Sequence, residues 1–394
     1  MSSLGGLVII LSSFLCVFLL LLAFLNIFYK LWWAPTRIQK LMALQGIKGP
    51  SYRPIHGNTK EILNMKREII GRPMSLSHDI LSAVRPHVHS WTKIYGMNFL
   101  QWYGSQAQLV IMEPELCKEI LDNKDGAFAK RKPQSYVKKL LGDGFLLQID
   151  LGKCHDLGED QNDILPDFLL QIDLGIYYLL YTNDSQRISV DDLVDECKTF
   201  YFAGQETTNS MLAWTVFLLA LNTDWQAEAR KEVLQLFGRQ NPNPDGLSKL
   251  KTMSMIINES LRLYPPVVSV ERKVRREVRL GKLIVPANVE LIIPILAIHH
   301  EPEFWGEDVQ LFKPERFEEG VAKATNNNIA AFLPFGMGPR TRVGFNFAIT
   351  EAKIVLSMIL QRYTFTLSPA YVHSPYEYLT VRSQHGVQVA LHSL

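Results

Sequence analysis

Residues 4–29 contain no charged side chain and are almost wholly apolar. At about 1.5 Å per residue, a helix of that length exceeds the roughly 30 Å hydrocarbon core of a bilayer. Lys30, Arg37 and Lys40 follow it, with Trp32 and Trp33 at the interfacial position, which predicts that the body lies on the cytosolic side. No Lys or Arg precedes the run and no small-residue cleavage site closes it, so a retained anchor is expected rather than a removed leader. Pro35, Gly49, Pro50 and Pro54 then punctuate a linker that stiffens the join between anchor and body. Two short β-rich runs, 98–102 and 108–112, flank Gly104 and predict a small hairpin, and a helix is expected over 115–123 behind Pro114. Ser189 with Asp192 three residues on is a helix start, and the helix is predicted to run to about Leu221. Glu259 and Arg262 stand at helical i,i+3 spacing and can pair, with Tyr264-Pro265-Pro266 ending that helix.

Composition narrows the class. The 394 residues are 47% hydrophobic and 20% charged, which excludes a disordered chain, and a net charge of +2 gives no reason to expect nucleic acid as a partner. The four cysteines (Cys16, Cys117, Cys154, Cys197) have no paired spacing and read as reduced structural thiols. His299-His300 and His87-x-His89 lack the further ligands of a metal site and read as satisfied or exposed histidines. The basic run 271–279 reads as a solvated strand or turn.

Four motifs carry candidate chemistry. Ala203-Gly204-Gln205-Glu206-Thr207-Thr208 places a hydroxyl and a carboxylate side by side on the long helix. Glu206 and Thr207 can relay protons, and Gly204 without a side chain lets the helix open beside a small molecule. Glu259-x-x-Arg262 is the second motif and Pro314-Glu315-Arg316-Phe317 the third. The fourth is PFGMGPRTRVGFNFA at 334–348. In this order they resemble the cytochrome P-450 monooxygenases, whose haem-binding loop reads F-x-x-G-x-x-x-C-x-G. Phe335, Gly336, Gly338, Arg340, Gly344 and Ala348 stand where that pattern wants them. Trp32, Ala34, Pro35 and Arg37, with Gln45 to Pro50 and Tyr52, resemble the entry segment of the plant clan that includes brassinosteroid- and gibberellin-modifying hydroxylases.

The resemblance implies a mainly α fold with small β-sheets and one N-terminal transmembrane helix. It divides the chain into an anchor (1–30), a proline-containing linker (31–55) and one P-450-like domain (56–394). It implies oxygen activation at Ala203, Gly204, Glu206 and Thr207, and haem contacts at Arg272, Phe335, Arg340 and Gly344. Arginine forks suit the haem propionates. Glu259, Arg262 and Arg316 are implied as a buried support of the haem loop. Haem as cofactor, an NADPH-dependent reductase as electron donor, an apolar small molecule as substrate and a single-pass position in the endoplasmic reticulum membrane follow from the same resemblance.

Two features depart from it. The axial cysteine position is Arg342. A thiolate donates electron density to iron, whereas a guanidinium has five donors and no acceptor and cannot ligate a metal. The word FLLQIDLG occurs at 145–152 and again at 168–175, too few copies for a solenoid. Residues 145–187 therefore read as a duplicated and shortened segment. The resemblance implies that about a quarter of a typical member, including central helices and most of the substrate roof, is absent. Three readings stay open: a catalytically defective copy, a working oxygenase whose true sequence has cysteine at 342 and an intact middle, and a non-catalytic membrane-bound small-molecule-binding protein.

Overall fold

A computed structural model of the chain describes residues 2–130, 190–340 and 344–394. Ser189, both copies of the repeat, Cys154 and Arg342 lie outside the described residues.

Helix α1 (Ser2–Phe28) is 27 residues long, and its described side chains project away from the protein body. It is long and apolar enough to cross a membrane and fits an anchor. A five-residue π turn, Tyr29–Trp33, joins it to α2 (Ala34–Leu44), so the expected linker is helical over much of its length. Pro35 has no N–H for the carbonyl one turn back, that of Leu31. The Tyr52 hydroxyl donates to that carbonyl at 2.7 Å, and the Tyr52 ring rests against Trp102. Gly49 lets this entry segment touch the sheet, since a Cβ there would lie 1.9 Å from the Leu100 carbonyl oxygen.

Helices α3 (Thr59–Ile69) and α4 (Pro86–Tyr95) lead into β1 (Phe99–Tyr103) and β2 (Gln106–Val110), which form the expected antiparallel hairpin around Gly104. Next come α5 (Pro114–Leu121) and β3 (Phe128–Lys130). After the undescribed stretch runs α6 (Val190–Leu221), 32 residues without a break, then α7 (Thr223–Phe237) and α8 (Lys251–Leu263). Strands β4 (Val270–Val274), β5 (Val278–Leu280), β6 (Leu283–Val285) and β7 (Glu290–Ile293) follow. Helix α9 (Phe345–Leu360) precedes β8 (Tyr363–Leu367), β9 (Pro375–Glu377), β10 (Val381–Ser383) and β11 (Val389–Ser393).

The β1–β2 hairpin is one edge of a five-stranded sheet of order β1-β2-β7-β4-β3, with β2 and β7 parallel. The basic run at 271–279 is thus not simply a solvated strand. Its first part belongs to β4, an interior strand whose Arg272 and Val274 are buried. One core packs the sheet against Met42, Ile120 and Leu121. A second joins the later half of α6 to α7, α8, α9 and β8 through Trp214, Phe217, Ala229, Ile256, Leu356 and Phe365. The fold is a helical body with small sheets, and the second core fixes where the candidate site sits.

Candidate functional site

Helix α6 is anchored at its later half by buried Met211, Trp214, Phe217 and Leu218, while Ala203, Gly204 and Gln205 are exposed. The helix does not open at Gly204: α-helix continues on both sides, and nothing lies within 4 Å of where a Cβ would stand. Thr207 donates its hydroxyl back to the Ala203 carbonyl at 2.7 Å. The Glu206 carboxylate turns to the C-terminal hairpin β9–β10. There the Thr380 hydroxyl donates to one oxygen at 2.8 Å, and Arg382 pairs with the other. Consecutive helical residues point about 100° apart, so adjacency in sequence does not bring this carboxylate and hydroxyl together. The hairpin is tied to the same helix by Ser210 and Trp214, which both donate to the Val381 carbonyl at 2.6 and 2.8 Å. Thr380, Arg382, Ser210 and Trp214 were not singled out from sequence, because they meet Glu206 or the hairpin only through the fold.

Glu259, Arg262 and Arg316 form a buried ionic brace. Arg262 donates to both carboxylate oxygens of Glu259 at 2.8 and 2.7 Å, and neither side chain is exposed. Arg262 also reaches the carbonyls of His299 and Leu311 at 3.1 and 3.3 Å, and its guanidinium lies over the Trp305 ring. The Lys313 amide donates to Glu259 at 3.0 Å, and Arg316 Nε stands 3.6 Å from the same oxygen. Arg316 donates its other nitrogens to the carbonyls of Trp305 and Asp308, at 3.0 and 2.7 Å, and pairs with the Asp308 carboxylate at 2.6 Å. Hydrogen bonds from Lys313 and then Arg316 hold the Asp308 carboxyl down at about 2. Charges this deeply buried persist only when paired and hydrogen-bonded, as here.

The loop begins on a turn in which Gly336 N–H donates to the Leu333 carbonyl at 3.1 Å, with Pro334 second and Gly336 fourth. Gly338 has φ of +73°, and a Cβ there would come within 2.5 Å of the Leu121 carbonyl oxygen. Glycine therefore lets the loop rest on the end of α5. Phe335 packs edge-on against Phe345 with centroids 4.7 Å apart, and Gly344 caps the start of α9. Arg340 ends a short 3-10 turn, Gly338–Arg340. Arg272 is buried on β4 and donates to the Glu271 carbonyl at 3.0 Å. His299 and His300 are both buried, and burial, with the nearby Arg262 charge, pushes each down to about 3. Among the described residues no three His, Cys, Asp or Glu side chains cluster as metal ligands.

A helical body with small sheets, a long helix carrying A-G-x-E-T-T and a buried Glu-x-x-Arg pair followed along the chain by a glycine-rich loop define the architecture of the cytochrome P450 monooxygenase class. The family model described as cytochrome P450 matches residues 156–386. The chain is 42% identical to Cytochrome P450 CYP749A22 of Panax ginseng, over 98% of this chain and 97% of that one. It is 33% identical to Cytochrome P450 CYP72A616 of Paris polyphylla, covering 92% and 95%, and 31% identical to Cytochrome P450 734A1 of Arabidopsis thaliana, covering 92% and 93%. This chain belongs to the cytochrome P450 family. The alignment with the ginseng protein spans 508 positions, so a chain of 394 residues leaves more than a hundred of them without a counterpart.

The family implies haem, and the donor set answers that requirement only in part. Arg272 and Arg340 have the chemistry for propionates. Arg342, which stands where the motif resemblance expects the axial cysteine, has no lone pair to offer a metal.

Proposed function

We propose that this chain is a membrane-anchored cytochrome P450 that lacks monooxygenase turnover. The observation that carries the reading is Arg342 at the position of the thiolate ligand. A cysteine thiolate would supply electron density to a bound haem iron, and the Arg342 guanidinium, positively charged and without an acceptor, could not take that role. The closed arrangement on α6 supports the same reading, since Glu206 is committed to Thr380 and Arg382 and Thr207 to its own helix. Arg272, Phe335, Arg340 and Gly344 are the proposed haem contacts, with Glu259, Arg262 and Arg316 as their support. α1 is proposed to hold the body on the cytosolic side of the endoplasmic reticulum. A membrane-bound NADPH-dependent reductase and an apolar plant metabolite are the partners proposed from the family.

The test is the absorption spectrum of the full chain, purified in detergent, reduced and exposed to carbon monoxide. The expected result is no band characteristic of thiolate ligation, and observing that band refutes the proposal. Arg342→Cys is expected to produce the band if the shortened body holds haem. The missing positions and the repeated octapeptide favour a second reading, in which the true sequence carries cysteine at 342 and an uninterrupted middle. Sequencing the transcript decides between the two.

A further inference from the structure

The consecutive histidines His299 and His300 carry no metal-ligand pattern, yet their buried rings have opposite partners. The Leu333 amide donates to Nε2 of His299 at 2.9 Å, whereas Nε2 of His300 stands 2.9 Å from the Leu263 carbonyl oxygen. A backbone N–H only donates and a carbonyl only accepts, so the partners assign the tautomers. His299 keeps its proton on Nδ1, and His300 keeps its proton on Nε2.

We propose that His299 is a positioning residue that carries the Glu259–Arg262 brace to the turn at 333–336. The path is continuous. Arg262 donates to the His299 carbonyl at 3.1 Å, and the His299 ring receives the Leu333 amide. The Leu333 carbonyl closes the turn with Gly336, which presents Phe335 to Phe345 at the start of α9. One residue thus bonds the brace through its backbone and the turn through its side chain. His299 also stacks on Phe332, centroids 5.3 Å apart, a packing role that an apolar ring would fill equally well. The ring nitrogen is what packing does not require. Without it the buried Leu333 amide loses its acceptor, and a buried donor without a partner destabilises its own surroundings first.

The significance of the turn rests on reading 334–348 as the haem-facing loop, but its test involves no haem. Hydrogen exchange by mass spectrometry is followed on the full chain for His299→Leu and His299→Gln. Leu removes the acceptor, whereas Gln offers an amide oxygen to the same N–H. The expected result for His299→Leu is at least tenfold faster exchange in peptides covering 333–340, with peptides within α8 changed less than twofold. His299→Gln is expected to restore most of the protection. Unchanged exchange at 333–340 in His299→Leu overturns the proposal, and so does equal deprotection of α8 and the turn in both variants.

Should His299→Leu fail to fold, nitrogen-15 histidine spectra of the wild-type chain decide, with the signal assigned by its loss in His299→Gln. An Nδ1–H tautomer that does not titrate between pH 5 and 8 is expected there, and an Nε2–H tautomer overturns the proposal. Failure of Arg342→Cys to bind haem while 333–340 stays protected would count against the haem reading alone.

Discussion

Glu259 and Arg262 show how a common surface pattern becomes a structural necessity. At i,i+3 on an exposed helix such a pair contributes about 0.2–0.5 kcal/mol. Here both side chains are fully buried, and the arginine holds two further carbonyls besides the carboxylate. Removing one partner strands a charge inside the protein, which costs about 3–5 kcal/mol. Arg262→Leu is therefore expected to lower unfolding stability by about that amount in a denaturant titration. The double change Glu259→Leu with Arg262→Leu should cost less than the single one. The pair and the Arg316 motif were legible in the sequence as residues. Their depth was implied by the family resemblance and not by the spacing itself, because burial depends on Trp305, Leu311 and His299, which arrive from a separate stretch of chain. Glu206 is the opposite case. Its candidacy was legible from its neighbour Thr207, but its partners Thr380 and Arg382 lie more than 170 positions away, and no local pattern announces them.

Helices and strands divide in the same way. The start of α6 near Val190 and its end at Leu221 follow the expected helix, and the β1–β2 hairpin follows the alternating runs around Gly104. The interior place of β4 was hidden because Arg272 and Lys273 lie within it, Arg275 and Arg276 follow it, and its buried positions are only Arg272 and Val274. An interior antiparallel strand needs a full ladder more than it needs an apolar sequence. The start of α8 was illegible for a related reason. Its residue before the first turn is Leu250, which makes no side-chain cap. Glu232 on α7 supplies the cap instead, accepting the amides of Thr252 and Met253 at 2.7 and 3.0 Å. A carboxylate there satisfies two free donors and sits at the positive end of the helix dipole. Glu232→Ala is expected to cost about 1–2 kcal/mol in thermal or denaturant unfolding. Glu232→Gln should fall between the two, since it keeps acceptor capacity without the charge.

At the scale of the molecule, the buried histidines tie its parts together and set its response to acid. His78 hydrogen-bonds Tyr264 at 2.9 Å, linking the segment before α4 to the end of α8, while the His373 ring bonds nearby Tyr371 and its carbonyl accepts the Met74 amide at 2.9 Å. Phe217 of α6 stacks on His373, and Trp214 stacks on Tyr264. Burial pushes His78 and His373 down to about 4, with further charge repulsion at His78, and pushes His87 well below its usual value. His299 and His300 are lower still, at about 3. In the unfolded chain all five would titrate near the ordinary histidine value of about 6.5. Between about 6.5 and each folded value, the unfolded state therefore binds more protons than the folded one. Stability is complete above about pH 6.5 and is lost as pH falls toward 4, each group contributing up to ~1.4 kcal/mol per pH unit in its window. Against a typical total of about 5–15 kcal/mol, that slope is enough to unfold the body in mild acid. The urea midpoint measured by circular dichroism should be flat above neutrality and drop steeply between pH 6 and 4. His87→Phe removes one of the five titrating groups while keeping an aromatic ring against Trp91, and it should make the acid limb shallower. A midpoint that stays constant down to pH 5 would show that these histidines are already protonated in the folded protein.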